Sequence, residues 1–268
     1  MKYFEFTPNG IQDCVVRAWI HKNEGPVIGQ GVYPAVIICP GGAYQQVSGT
    51  EGDPVAKYYF AAGYHVFILE YAVGEKAKNF VPLCQLASTI AHVRSHADEL
   101  YVQKEKIAVC GFSAGGHLAA SLGTLYNEKR FLEVYGGTAY VRPDAMILCY
   151  PVITADEYAH VESICNVSGA EEGCEEYKWF GLDKHVDCDT PPAFLWHTAA
   201  DCSVPVENSL KMANALSAAN VPFELHIFPE GEHGSSVCSC EVGSYNPYNA
   251  RWIKWSIKWL NRMFQFKV

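Results

Sequence analysis

Short apolar runs bounded by glycine or proline recur along this chain, and the segments between them carry helical spacing. Residues 33–40, 64–71, 106–110, 144–150 and 193–198 are near-continuous in apolar character, as strands buried on both faces should be. Residues 223–228 alternate instead. Two earlier runs, 3–7 and 14–21, meet through Asn9-Gly10 and read as an antiparallel edge pair. Residues 53–62 read as a helix opened by Asp53-Pro54 and stopped by Gly63. Residues 82–100 read as one long amphipathic helix with Leu83, Leu86, Ile90 and Val93 on one face. Further helices are expected over 116–126, over 205–220 and after Pro247. On the last of these Trp252, Trp255 and Trp259 share a stripe with Ile253, Ile257 and Leu260, opposite Arg251, Lys254, Lys258 and Arg262. So wide an apolar face suits a core, and it would also serve a homodimer. Strand and helix alternate from Tyr33 onward. That predicts an α/β fold in a single domain over 1–268, with a mostly parallel central sheet, helices on both faces and ligands at the carboxyl ends of the strands. The pattern lapses only over 152–190, a loop-rich, lid-like insertion closed by Pro191-Pro192.

One stretch organises the rest. Gly111-Phe112-Ser113-Ala114-Gly115 is a G-x-S-x-G pentapeptide, preceded by the apolar run 106–110 and followed by an Ala- and Leu-rich segment of helical length. The five letters alone describe many ordinary turns. Strand, tight turn and helix together describe a nucleophile elbow, which lifts a serine hydroxyl clear of the sheet on strained backbone. Glycines flank it because side chains there would collide with the neighbouring strand and helix.

Such a serine needs a base, and the base an orienting acid, in the chain order Ser, Asp or Glu, His. Asp201 follows the strand at 193–198, and His233 follows the strand at 223–228; both fall in loops. The rivals are placed less well. His197 and His226 lie inside strands, His117 lies on the elbow helix, and Glu207 lies in the helix after Asp201. Glu230 and Glu232 share a loop with His233, whereas a triad acid comes from another loop. Asp144 begins a strand, at the wrong end of the sheet. An oxyanion hole needs two backbone N–H groups aimed at the developing charge. Ala114 supplies one, and the segment Pro40-Gly41-Gly42-Ala43-Tyr44 after the strand at 33–40 supplies the other, from Gly42 or Ala43.

Composition narrows the class. The chain has 268 residues, is 49% hydrophobic and carries a net charge of −9, which suits one sizeable core and argues against a nucleic-acid surface. No apolar run reaches transmembrane length, and the first residues do not read as a signal peptide, so the expected location is cytoplasmic. The eleven cysteines are then expected as free thiols, several of them within strands. Cys238-Ser239-Cys240 could join Cys202 or Cys188 around a metal, but the spacing of a structural zinc site is missing, so no metal is expected.

Four blocks now carry a resemblance: Pro40-Gly41-Gly42-Ala43-Tyr44, the elbow with Gly116-His117-Leu118-Ala119, the run from Thr190 to Asp201, and Phe228-Pro229-Glu230-Gly231-Glu232-His233-Gly234. Together they resemble an α/β-hydrolase. More narrowly, they are similar to the bacterial acetyl esterase and acetyl-xylan-esterase-like branch, also labelled xylanase-like or feruloyl/acetyl xylan esterase. The oxyanion segment departs from the HGGG form, with Pro40 for the first residue and Ala43 for the last. The resemblance implies a serine esterase without a cofactor, acting on a small-molecule or oligosaccharide ester. Three other readings stay open: a peptidase related to prolyl oligopeptidases, an aryl formamidase with the same triad, and a hydrolase fold serving as scaffold or receptor, a class that typically loses a triad member.

Overall fold

The computed structural model describes residues 1–8, 10–22, 31–137 and 140–267; Asn9 of the expected edge turn lies outside the described residues. Among them eight strands form one sheet in the order β1-β2-β4-β3-β5-β6-β7-β8. β1 (Lys2–Phe6) and β2 (Val15–Ile20) form the antiparallel edge, and β2 runs antiparallel to β4 (His65–Glu70). The remaining strands are parallel: β3 (Tyr33–Cys39), β4, β5 (Val102–Phe112), β6 (Ala145–Cys149), β7 (Ala193–Thr198) and β8 (Phe223–Phe228). The apolar runs become β3, β4, β6 and β7 because helices cover both of their faces, so every position needs an apolar side chain. β8 keeps its alternation because it lies at the sheet edge.

On one side of the sheet lie α2 (Val81–Ser95), α4 (Ala114–Leu125) and α8 (Glu207–Ala218), and their apolar faces share a core with Ile37, Phe67, Val109 and Leu148. On the other side α1 (Asp53–Ala61) and α9 (Arg251–Met263) pack against Ile38, Ile68, Cys110 and Trp196. No helix among the described residues is long and apolar enough to cross a membrane.

Three segments differ from the sequence expectation. The helix expected over 82–100 is two: α2, then α3 (Ala97–Leu100). The four expected face residues are buried, but the His92 carbonyl accepts from the His96 N–H and also from Ser95 Oγ at 3.0 Å. A polar side chain competing for a helix carbonyl loosens the turn there. A short helix, α5 (Lys129–Tyr135), was not expected; its start is capped by Glu128, which accepts from the Arg130 N–H, and it ends at Gly136. The insertion at 152–190 is not simply loop. It contains α6 (Val161–Ser168) and α7 (Glu175–Trp179), capped by His160 and Cys174, whose turns are too short to show periodicity in sequence.

Of the α9 tryptophan stripe, Trp252 and Trp259 are buried inside the protein and Trp255 is half-buried. Trp252 is fully buried, stacks on Trp196 at 5.0 Å and meets Phe112 at 5.9 Å. Its indole N–H donates to the Ser236 carbonyl at 2.9 Å, which ties α9 to the loop carrying His233. Trp252→Ala should therefore cost about 3–5 kcal/mol in urea unfolding, while Lys254→Ala on the exposed face should change stability by less than about 0.5 kcal/mol.

Candidate active site

Ser113 stands at the carboxyl end of β5, where the strand turns into α4. Its φ of 52° lies in the left-handed region that non-glycine residues avoid. The turn is held on both sides: the Ser113 N–H donates to the Cys149 carbonyl, and the Ser113 carbonyl accepts from Val152 and His117. Crowding beneath the turn explains the flanking glycines. A Cβ on Gly111 would lie 2.1 Å from the Gly115 carbonyl oxygen, and one on Gly115 would lie 2.1 Å from that of Cys39. The sequence places glycine wherever strand, helix and oxyanion segment touch backbone to backbone.

His233 reaches Ser113 from the loop after β8. Its Nδ1 lies 2.7 Å from Asp201 Oδ2 and its Nε2 lies 2.8 Å from Ser113 Oγ. An ionised carboxylate only accepts, so Nδ1 carries the proton and Nε2 accepts from the serine hydroxyl. Asp201 lies in the loop after β7, nearly buried. Its Oδ1 accepts from the N–H groups of Ser203 and Val204, both at 2.9 Å. Burial pushes its pKa up. Hydrogen bonds from His197 and His233, the His233 charge and the Val204 N–H outweigh that and hold the carboxyl well below the usual range. It is therefore a fixed negative charge at any working pH.

The segment after β3 wraps over Ser113. Gly42 has φ 123°, and Ala43 and Tyr44 have φ 55° and 59°. The Gly42 carbonyl accepts from Gln45 and Gln46, whereas the N–H groups of Gly42 and Ala43 have no acceptor among the described residues. Gly42, Ala43, Ser113 and His233 line one cavity of about 410 Å³. Ala114 begins α4, and its N–H is one of the amides that a helix start leaves unbonded.

Several contributors had no sequence signal. Glu51 is 3% exposed and accepts from the Gly41 N–H and from the Tyr150 hydroxyl, each at 2.7 Å. Asn166 on α6 donates to the Ala43 carbonyl at 2.8 Å and accepts from Gln45, so the insertion latches the oxyanion segment. His160, also from the insertion, lines the cavity. Each is a lone polar residue in a segment without a motif, so only folding reveals its neighbours.

The rival groups have other partners. His197 is buried; its Nε2 faces Val204 O at 3.0 Å and Asp201 Oδ2 at 3.3 Å, and its Nδ1 meets Ser209 Oγ at 2.8 Å. It buttresses Asp201 from behind. His117 does more than bond locally. Its Nε2–H donates to the Phe180 carbonyl at 3.0 Å, and its Nδ1 accepts from the Tyr44 hydroxyl at 2.9 Å. It joins elbow helix, oxyanion segment and insertion. His226 pairs with Glu224 on its own strand, and Glu230 and Glu232 face solvent. Asp144 pairs with Arg94 at 2.9 Å at the amino end of the sheet, away from the cavity, and Glu207 sits in the first turn of α8. The cysteines are free thiols. Cys238 is buried, whereas Cys188, Cys202 and Cys240 are exposed, and no three metal-ligating side chains converge among the described residues.

With this geometry, the relatives are informative. A model of the BD-FAE family matches residues 25–216. The chain belongs to the BD-FAE family. It is 34% identical over 217 residues to endo-1,4-beta-xylanase B of Butyrivibrio fibrisolvens, covering 78% of this chain and 33% of that protein. It is 30% identical over 210 residues to an acetylxylan esterase of Xylanibacter ruminicola, covering 75% of this chain and 40% of that one. The chain thus spans a third to two fifths of these curated relatives. The crystal structure of an acetyl ester-xyloside bifunctional hydrolase from Caldicellulosiruptor lactoaceticus superposes with a TM-score of 0.82 at 35% identity, covering 95% of this chain and 89% of that one. The fold is that of an α/β-hydrolase, and this BD-FAE chain groups with ester hydrolases.

His117 makes a pH prediction. Burial lowers its pKa from 6.5 to about 4, so between those values the unfolded chain binds a proton that the folded chain refuses. Its contribution is complete above pH 6.5 and is lost as the pH falls towards 4. Stability measured by urea unfolding across this window should fall less steeply in His117→Gln, by up to about 1.4 kcal/mol per pH unit.

Proposed function

We propose that Ser113, His233 and Asp201 are the catalytic triad of a carboxylic-ester hydrolase working by two-step acyl transfer. The observation that carries this is the unbroken line from Ser113 Oγ through His233 to Asp201, at 2.8 and 2.7 Å, ending in an open cavity. His233 Nε2 takes the hydroxyl proton as Ser113 Oγ attacks the ester carbonyl carbon. The tetrahedral oxyanion is received by the N–H groups of Ala114 and of Gly42 or Ala43. Asp201 holds Nδ1–H in place and stabilises the imidazolium. His233 then gives its proton to the leaving alcohol, the C–O bond breaks, and an acyl-serine remains. Water repeats the sequence, with His233 taking its proton, and releases the acid and the free serine. Every proton is carried by this chain's own groups.

The substrate class we favour is a short acyl group, acetyl above all, on a carbohydrate or other small alcohol. The cavity mouth is set with hydrogen-bonding side chains, among them Gln45, Gln46, Ser48, His160, Glu162 and Ser203, which suit a polyol. Of the relatives above, one is named an acetylxylan esterase and another an acetyl ester-xyloside bifunctional hydrolase. The acidity of the insertion bears on this less than its composition suggests. Asp156 pairs with Lys211, Glu176 pairs with Arg130, Glu175 pairs with Lys178, and of the insertion's acids Glu162 lines the cavity.

Ser113→Ala should reduce turnover of p-nitrophenyl acetate by about 10⁴-fold or more and abolish labelling by a fluorophosphonate probe. Wild-type turnover in that variant would sink the assignment. In a substrate panel, acetylated xylo-oligosaccharides and acetyl esters should give a higher kcat/KM than decanoyl esters; a preference rising with chain length would point to a lipase-like site instead.

A further inference from the structure

Glu51 is a buried acid that the triad chemistry does not use. It sits in the turn before α1, and both of its oxygens are engaged. Oε2 accepts from the Gly41 N–H at 2.7 Å, and Oε1 accepts from the Tyr150 hydroxyl at 2.7 Å. Tyr150 follows β6 with φ 36°, and its oxygen accepts in turn from the Ser236 N–H at 2.9 Å. Ser236 lies three residues beyond His233, and its own hydroxyl donates back to the Thr50 carbonyl at 2.7 Å. The Tyr150 ring lies edge-on to the His233 ring, 5.0 Å between centroids. A Cβ built on Gly41 would be 2.9 Å from Glu51 Oε2 and 2.9 Å from Ser113 Cβ, so the carboxyl and the Ser113 side chain both crowd the Gly41 backbone.

This geometry does two things. It pins the peptide entering Gly41 and so fixes the orientation of the next two, whose N–H groups are the oxyanion donors in the function proposed above. It also joins that segment to the histidine loop through one side chain. We propose that Glu51 is a second acidic positioning residue for the Ser113–His233–Asp201 chemistry, setting the oxyanion segment and stabilising the His233 imidazolium. The inference rests on that triad.

The donors around Glu51 favour its charged form. Tyr150 and Gly41 both donate to it, and the Tyr150 oxygen accepts in turn from the Ser236 N–H. The ionisable groups that face the carboxyl are Tyr150, Tyr71, Cys149 and His233. Tyr71, Tyr150 and Cys149 are fully buried with pKa values raised well above normal, so they stay neutral, and His233 is the group whose charge changes during turnover. Burial raises the Glu51 pKa above the usual carboxylate value, and the two hydrogen bonds and the His233 charge offset this only in part. A buried carboxylate acts on the charge of His233 through a less screened field than one in water.

The test uses the full-length chain, with fluorophosphonate labelling to count competent active sites and circular dichroism to verify folding. Glu51→Gln should lower kcat for p-nitrophenyl acetate about 10- to 100-fold with KM changed less than about threefold, because the oxyanion donors act on the transition state. Loss of the negative charge should also move the acid limb of kcat/KM to lower pH by about half a unit or more. Glu51→Asp keeps the charge but not the reach, and should lower kcat while leaving the acid limb near its wild-type position. If Glu51→Gln does not fold, Tyr150→Phe removes the hydroxyl linking Glu51 to the histidine loop and should lower kcat about tenfold without moving the limb to lower pH. A folded Glu51→Gln with kcat within twofold of wild type, or with an unmoved acid limb, overturns the proposal; where that variant does not fold, so does a Tyr150→Phe with wild-type kcat. Wild-type protein that neither reacts with the probe nor hydrolyses the ester would instead overturn the serine-hydrolase reading itself.

Discussion

The contact beneath Ser113 is the constraint from which the site is built. Gly111 and Gly115 face each other across the turn, and Gly115 also lies against the Cys39 and Pro40 carbonyls, so the ends of β3 and β5 and the start of α4 meet with no side chain between them. Backbone in such contact cannot slide, which is how a residue with φ 52° is kept in an unfavourable region. The same contact brings the segment after β3 alongside Ser113. The elbow and the segment after β3 are therefore one packed object rather than two loops that happen to meet.

Around that object the protein gives similar side chains different states through their surroundings. Asp201 and Glu51 are both buried acids. Asp201 is held ionised by two backbone N–H groups and two imidazoles, and Glu51 is held between an amide and a phenol. His117 and His233 are both imidazoles near the elbow. His117 is sealed among Tyr44, Phe180 and Ser121 and stays neutral, whereas His233 is partly open to the cavity. Roles follow from which groups face water and which face donors, not from residue type.

The insertion belongs to the site as much as to the surface. Asn208, fully buried at the start of α8, accepts from the N–H groups of Ile153 and Thr154 and donates to the Tyr158 carbonyl, which anchors the first part of the insertion. Phe180 anchors its far part through His117, and Asn166 anchors its middle through Ala43. Three polar side chains thus make an acidic, irregular segment a wall of the cavity.

Much of this was legible in the residues themselves. Local rules act on neighbours in sequence: apolar runs for buried strands, glycines where backbone meets backbone, and loops after late strands for Asp201 and His233. The family resemblance extended these into a fold, which the comparisons bear out, and the structure brings Ser113, Asp201 and His233 into one line. What the sequence could not carry was anything whose meaning depends on distant partners. The break after Ser95 and the helices inside 152–190 are too short for periodicity to register. Glu51 and Tyr150 are 99 residues apart, and Asn166 and Ala43 are 123 apart. A buried carboxylate looks like any other glutamate until the chain has folded around it. The sequence by itself determined the elbow at Ser113, the chain order in which Asp201 and His233 follow it and the sheet that carries them, because those are written in local crowding and hydrophobic pattern. Tertiary structure alone decided which polar residues hold these segments in place, because their desolvation and hydrogen bonds exist only where remote segments meet.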